Sequence, residues 1–106
     1  EIVFASHGPA AVAAGIDPDI VEAIRRRETP VFENADEAAV YRFTDQLTRT
    51  YEVNDAAYRE ARDVLGEDGL VELVGLAGLY VTASMTLNAF RIPVRPGMKR
   101  PYPDKR

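Results

Sequence analysis

The chain has 106 residues, 46% of them hydrophobic, and a formal net charge of -4. That is enough for one small domain with one core, and the wrong sign for a protein that binds nucleic acid with its whole surface. There is no cysteine, so disulfides, thiolate metal sites and thiol redox chemistry are excluded. No signal peptide is visible, which sets the expected location as the cytoplasm, and the opening on Glu1 leads us to expect that a longer protein precedes it.

Residues 1–14 (EIVFASHGPAAVAA) read as a helix that Gly15 ends and that Gly8-Pro9 bends or restarts. Asp17-Pro18-Asp19 then supplies a cap, a proline for the first helical position and a carboxylate for the positive end of the dipole. This second helix runs through Ile20, Val21, Ala23 and Ile24, and its last turn is Arg25-Arg26-Arg27. Three cations at a helix C-terminus need no ligand to explain them. Asn34 with Glu37 forms a variant capping box. The helix after it is predicted to bury a stripe of Val40, Phe43, Leu47 and Tyr51, three and four residues apart, and to turn Asp36, Arg42, Asp45 and Arg49 to water. Asn54 caps the next helix, whose face is Tyr58, Ala61, Val64 and Leu65. Gly66 closes it, and Glu67-Asp68-Gly69 is the expected turn.

The run from Leu70 to Phe90 (LVELVGLAGLYVTASMTLNAF) is the longest apolar stretch and holds one charge, Glu72. As a helix it is about 30 Å long, which is also a membrane-spanning length. Glu72, Asn88, Thr82, Ser84 and Thr86 stand against a membrane, as do the amphipathic segments that need a core to cover. The expectation is therefore a central helix sheathed by its shorter neighbours and by copies of the same molecule. Gly75 and Gly78, with Ala77, fit close-packing positions between helices. No segment alternates apolar and polar residues, so no sheet is expected. The fold class read from the chain is all-α, an orthogonal or antiparallel bundle of about five helices over residues 1–92. Residues 93–106 form an extended tail, set by Pro93, Pro96, Pro101 and Pro103. From Arg91 onward six basic side chains face one acidic one, Asp104. An arm packed on its own or a neighbouring subunit is the preferred reading, over a contact with nucleic acid or anionic lipid.

Few residues offer chemistry. His7 is the only histidine, either a general acid or base near neutral pH or a hydrogen-bonded structural group at a helix bend. Glu72 either pairs with His7 or an arginine across a helix contact, or faces water in the first turn of its helix. Tyr80 and Asn88 each need a partner if buried, and either could line a cavity. One histidine without cysteine leaves only carboxylates for a metal, so no metal site is expected. No nucleophile-elbow sequence is present.

Four stretches carry a resemblance: FASHGPAAVAAGI, DPDIVEAIRRR, VYRFTDQLTRTYEVNDAAYREARDVLG and GLVELVGLAGLYVTASMTLNAFRIPV. In that order they resemble the carboxymuconolactone decarboxylase family, which includes the alkyl hydroperoxidase D-like proteins, in its cysteine-free branch. The last stretch is the most specific. The resemblance implies an alkyl hydroperoxidase D-like helical fold that associates into dimers, trimers or hexamers, and an N-terminal helical part preceding this stretch. It also implies a cofactor-free lyase acting on a lactone or carboxylated small molecule. His7 matches the family histidine and would be the acid/base, Arg91 could hold the substrate carboxylate, Glu72 would be a partner, and Tyr80 and Asn88 would line the site. Val3 and Phe4 stand where this branch usually has Glu-Trp, and Glu1 lies about 200° around the helix from Val3. The second reading is a non-catalytic helical oligomer that has kept the scaffold and a ligand pocket. A nucleic-acid contact through the basic tail is a third, and predicts steeply salt-dependent binding.

Overall fold

The computed structural model describes the backbone of Ile2–Tyr102 and the side chains of His7–Tyr102. Among the described residues all regular structure is helical: α1 (Ile2–Ala13), α2 (Pro18–Arg25), α3 (Ala35–Thr50) and α4 (Asp55–Ala89). The chain clusters into two compact units. One holds α1, α2 and the C-terminal segment from Ser84; the other is Phe32–Ala83.

In the first unit, α1 continues through Gly8-Pro9 instead of restarting there. Proline's fixed φ is itself helical, so Pro9 forfeits a backbone donor without ending the helix. α1 ends as expected at Gly15, whose φ of 103 is open only to glycine at low cost. Gly15 N–H donates to Val12 O (3.1 Å) and Ile16 N–H to Ala11 O (3.0 Å), a Schellman closure. Asp17 caps α2 by accepting from Asp19 N–H at 2.9 Å, with Pro18 in the first turn. α2 buries Ile20 and stops at Arg25, two residues before the predicted end. The closure repeats there, with Arg27 N–H on Ile24 O (3.0 Å) and Glu28 N–H on Ala23 O (2.8 Å), but the left-handed residue is Arg27, at φ 60.

The C-terminal segment closes α4 in the same way, with Ile92 N–H on Leu87 O at 3.0 Å and Arg91 left-handed at φ 51. Beyond it the chain is extended apart from a turn in which Met98 N–H donates to Arg95 O. Pro101 is buried. Its carbonyl accepts from Arg25 Nη1 at 3.0 Å, and the Arg27 guanidinium lies 5.7 Å from the centre of the Tyr102 ring. Among the described residues of the tail, Pro101 and Tyr102 thus touch α2 and the loop after it, while most of the others are exposed.

In the second unit, Asn34 caps α3 by accepting from Asp36 N–H (2.8 Å), one residue earlier than a capping box requires. Ala39 and Phe43 are buried on the α3 stripe. Tyr51, predicted to extend it, does not: it is the left-handed cap residue, φ 63, and 84% exposed. The helix ends before its turn brings Tyr51 round to the core. Asn54 caps α4 by accepting from Ala57 N–H at 2.9 Å. Phe43, Ala61 and Leu70 form the core, with Leu47, Val53 and Leu73 packed against it. Arg42 on α3 pairs with Glu60 on α4 at 2.7 Å.

Gly66 breaks α4 into two helical segments, but the expected turn over 67–69 is absent and the second segment starts at once. One residue, at φ 73 and ψ 170, makes the whole change of direction. That backbone region is essentially glycine's alone. Gly69 lies so near the preceding segment that a Cβ there would sit 2.9 Å from Leu65 Cβ.

Residues 70–90 are covered only in part by their own chain. Leu70 is buried, and Leu73, Ala77, Val81, Ala83, Ser84 and Leu87 are half-buried, most of them in a row three and four residues apart. Around the rest of the helix Val71 is 74% exposed, Leu79 66% and Leu76 52%, and Met85 and Phe90 are exposed too. No other atom lies within 4 Å of where a Cβ on Gly75 or Gly78 would stand, so the expected close packing is not made within this chain. α4 is long and apolar enough to cross a membrane, and 11% of its most apolar window is buried.

Candidate functional site

The five residues singled out in the sequence do not share one unit. His7, Asn88 and Arg91 belong to the first and Glu72 and Tyr80 to the second. His7 is exposed on α1, the register in which a helical histidine meets solvent. Glu72 is also exposed, which selects the water-facing alternative over the buried pair. The segment starts at Glu67, so Glu72 stands beyond its first turn and the dipole does not account for the carboxylate. Tyr80 and Asn88 are exposed on α4, and Arg91 holds the left-handed position just after it. Glu1 and the side chains of Val3 and Phe4 lie outside the described residues.

A groove of about 450 Å³ lies instead in the second unit, lined by Phe43, Tyr58, Glu67, Leu70, Val71 and Val74. None of the five residues lines it. Phe43 and Leu70 form its floor as members of the core, while Val71 and Val74 are solvent-exposed. The break at Gly66 creates the groove, because it turns the second segment of α4 away from the line of the first and puts Glu67 at the edge. The Tyr58 ring also carries the Arg62 guanidinium, 5.9 Å from its centre. The volume falls within the range of ligand pockets, and an apolar floor with one carboxylate suits an apolar surface better than a polar substrate. The sequence signals for the groove were the stripe through Phe43, the face through Tyr58, the helix end at Gly66 and the apolar run from Leu70.

The strongest electrostatic arrangement is elsewhere, at the C-terminal end of α2. Arg25 grips Glu22 with two nitrogens, Nε at 2.9 Å and Nη2 at 2.8 Å, and Arg26 Nε reaches the same carboxylate at 3.0 Å. The hydrogen bond from Arg25, aided by its charge and by Arg26, holds Glu22 down to about 2. On α3, burial and the nearby Asp45 carboxylate push the Tyr41 phenol above its ordinary range. Neither group sits beside a candidate nucleophile. Among the described residues no cluster of three or more His, Asp or Glu side chains could hold a metal.

Sequence reasoning missed Arg25 and Arg27 as a pair facing the arm. Arginines closing a helix are explained by the dipole alone, and nothing local shows that a carbonyl seventy-six residues away accepts from one of them. Compared with known protein families, curated proteins and solved structures, the chain matches none.

Proposed function

We propose that this chain is a self-associating helical protein of the carboxymuconolactone decarboxylase type, serving as a non-catalytic scaffold with an apolar ligand groove. The supporting observation is the bare face of α4. Val71, Val74, Leu76, Leu79 and Tyr80 are 39% to 74% exposed within ten residues of one helix. Together they leave on the order of 500 Å² of side chain uncovered, spread over more than half of the circumference of the helix, more than single apolar residues scattered on a surface leave. From Leu73 to Phe90 no residue is charged, so the face suits a second copy of itself better than a charged partner. The finer family features, a five-helix bundle and a dimer, trimer or hexamer, belong to the same proposal.

Sedimentation across a hundredfold range of concentration tests it. The wild type is expected to associate, and Leu76→Lys with Leu79→Lys to sediment as a monomer that keeps its helical circular dichroism. A wild type that stays monomeric throughout would end the reading. Wild-type protein that pellets with neutral lipid vesicles instead would assign the bare face to a membrane.

The lyase reading depends on His7, which sits at the family histidine's place in the FASHGP stretch and is open to solvent on α1. Under it, His7→Gln abolishes turnover in a screen of lactones and muconate-like diacids while melting temperature and oligomer size hold. Unchanged turnover, or a matching fall in stability, makes the histidine structural.

A further inference from the structure

We propose that the groove of the second unit binds a small apolar molecule that carries one cationic amine, with the ammonium at Glu67 and the apolar body along Leu70, Val71 and Val74. The proposal rests on the groove reading above, for which it names the ligand class, and not on self-association. Glu67, Leu70, Val71 and Val74 all line the groove. The last three stand three, four and seven residues after the first, so the four share one face of the second segment of α4. That face is an apolar strip with a carboxylate at one end. From Glu67 to Val74 it runs about 10 Å along the helix, which sets the length of the apolar body. Phe43 and Leu70, both buried, give that body a floor, and Tyr58 lines the groove with them.

Charge selects the head group. The Glu67 side chain is exposed, and no ion pair or hydrogen bond among the described residues engages it. Asp45 and Glu60, in the same unit, are by contrast already paired with Arg49 and Arg42. Asp68 stands next to Glu67, and residues 66–90 contain no basic side chain. The free amides at the start of the segment carry about half a positive charge, which the two carboxylates outweigh. Arg62 leans on the Tyr58 ring without lining the groove, and its guanidinium lies 3.8 Å from the Asp63 carboxylate, which offsets its charge. An anionic head group would thus meet a carboxylate as the one charge lining the groove, and a neutral one would gain little from it. A cationic one gains an ion pair.

The test titrates the full chain by NMR at low salt with three probes that share one apolar body: phenylbutylamine, phenylbutanol and phenylbutanoate. The ring signals of Phe43 and Tyr58 report occupation of the groove. The amine is expected to bind about fivefold tighter than the alcohol, and the carboxylate weakest. Glu67→Gln should bring the amine to the affinity of the alcohol and leave the alcohol unchanged. Glu72→Gln, exposed on the same segment but outside the groove, should alter neither. Val71 and Val74 belong to the bare face as well, so the titrations are repeated on the Leu76→Lys, Leu79→Lys chain, and the expected order in either chain supports the proposal. If amine and alcohol bind alike, or Glu67→Gln changes nothing, the groove takes apolar ligands without regard to charge; the proposal is then overturned while the groove reading stands. If no probe shifts the two rings in either chain, both fall. Self-association is judged apart from them, by sedimentation without any probe.

Discussion

Single residues in this chain show which rules of helical sequences were obeyed and which were overridden. Asp17, Asn34 and Asn54 all cap the helices they precede, because a short side-chain acceptor beside free amides decides the matter locally. Thr44 is the opposite case: its hydroxyl is buried with no hydrogen-bond partner. An unmade bond leaves the cost of stripping water from the oxygen, so Thr44→Val is expected to raise stability by about 1 kcal/mol in urea unfolding. A loss would mean the hydroxyl has a partner in solution. The Glu22 carboxylate carries a pH effect. Its folded value, about 2, lies below the ordinary 4.5, so its contribution is complete above the ordinary value. It is lost as pH falls from 4.5 toward 2. Glu22→Gln should therefore flatten the acid limb of the stability curve in that window and nowhere above it.

At the scale of elements, α4 is organised by one glycine. Gly66 stands where no other residue sits easily, and no atom lies within 4 Å of where its Cβ would be. The cost of Gly66→Ala is thus one of backbone strain and not of collision, about 1–3 kcal/mol. Chemical denaturation should show that loss, together with a wider or closed groove. A neutral result would mean the break moves easily to a neighbouring residue. The sequence marked this glycine as a helix end but placed a turn after it. Glu67, Asp68 and Gly69 read as turn residues by type, whereas acidic residues at the start of a helix favour its first turn. Tyr51 was misplaced for a related reason. Spacing carries a stripe forward, but Thr48 and Thr50 turn their hydroxyls back to the Thr44 and Gln46 carbonyls, and the helix ends before Tyr51.

The whole molecule is short of core. Among the described residues, prolines apart, the buried apolar side chains are Ile20, Ala39, Phe43, Ala57, Ala61 and Leu70, and half of these are alanine. Under the self-association proposed above, copies would add to this core, and apparent stability would depend on concentration. The melting temperature is expected to rise with protein concentration in a dilution series; a constant value would mean the single chain is stable alone. The helical class, the caps at Asp17, Asn34 and Asn54, the ends at Gly15 and Gly66 and, among the described residues, the absence of strands were determined by the sequence, because each depends on residues within a few positions of one another. Tertiary structure alone decided that the long helix is covered mostly along one row, that the candidate residues fall in separate units, and that Arg25 and Arg27 hold the arm. These depend on which distant surfaces meet and on how much apolar area is available to meet them, and no local pattern records either.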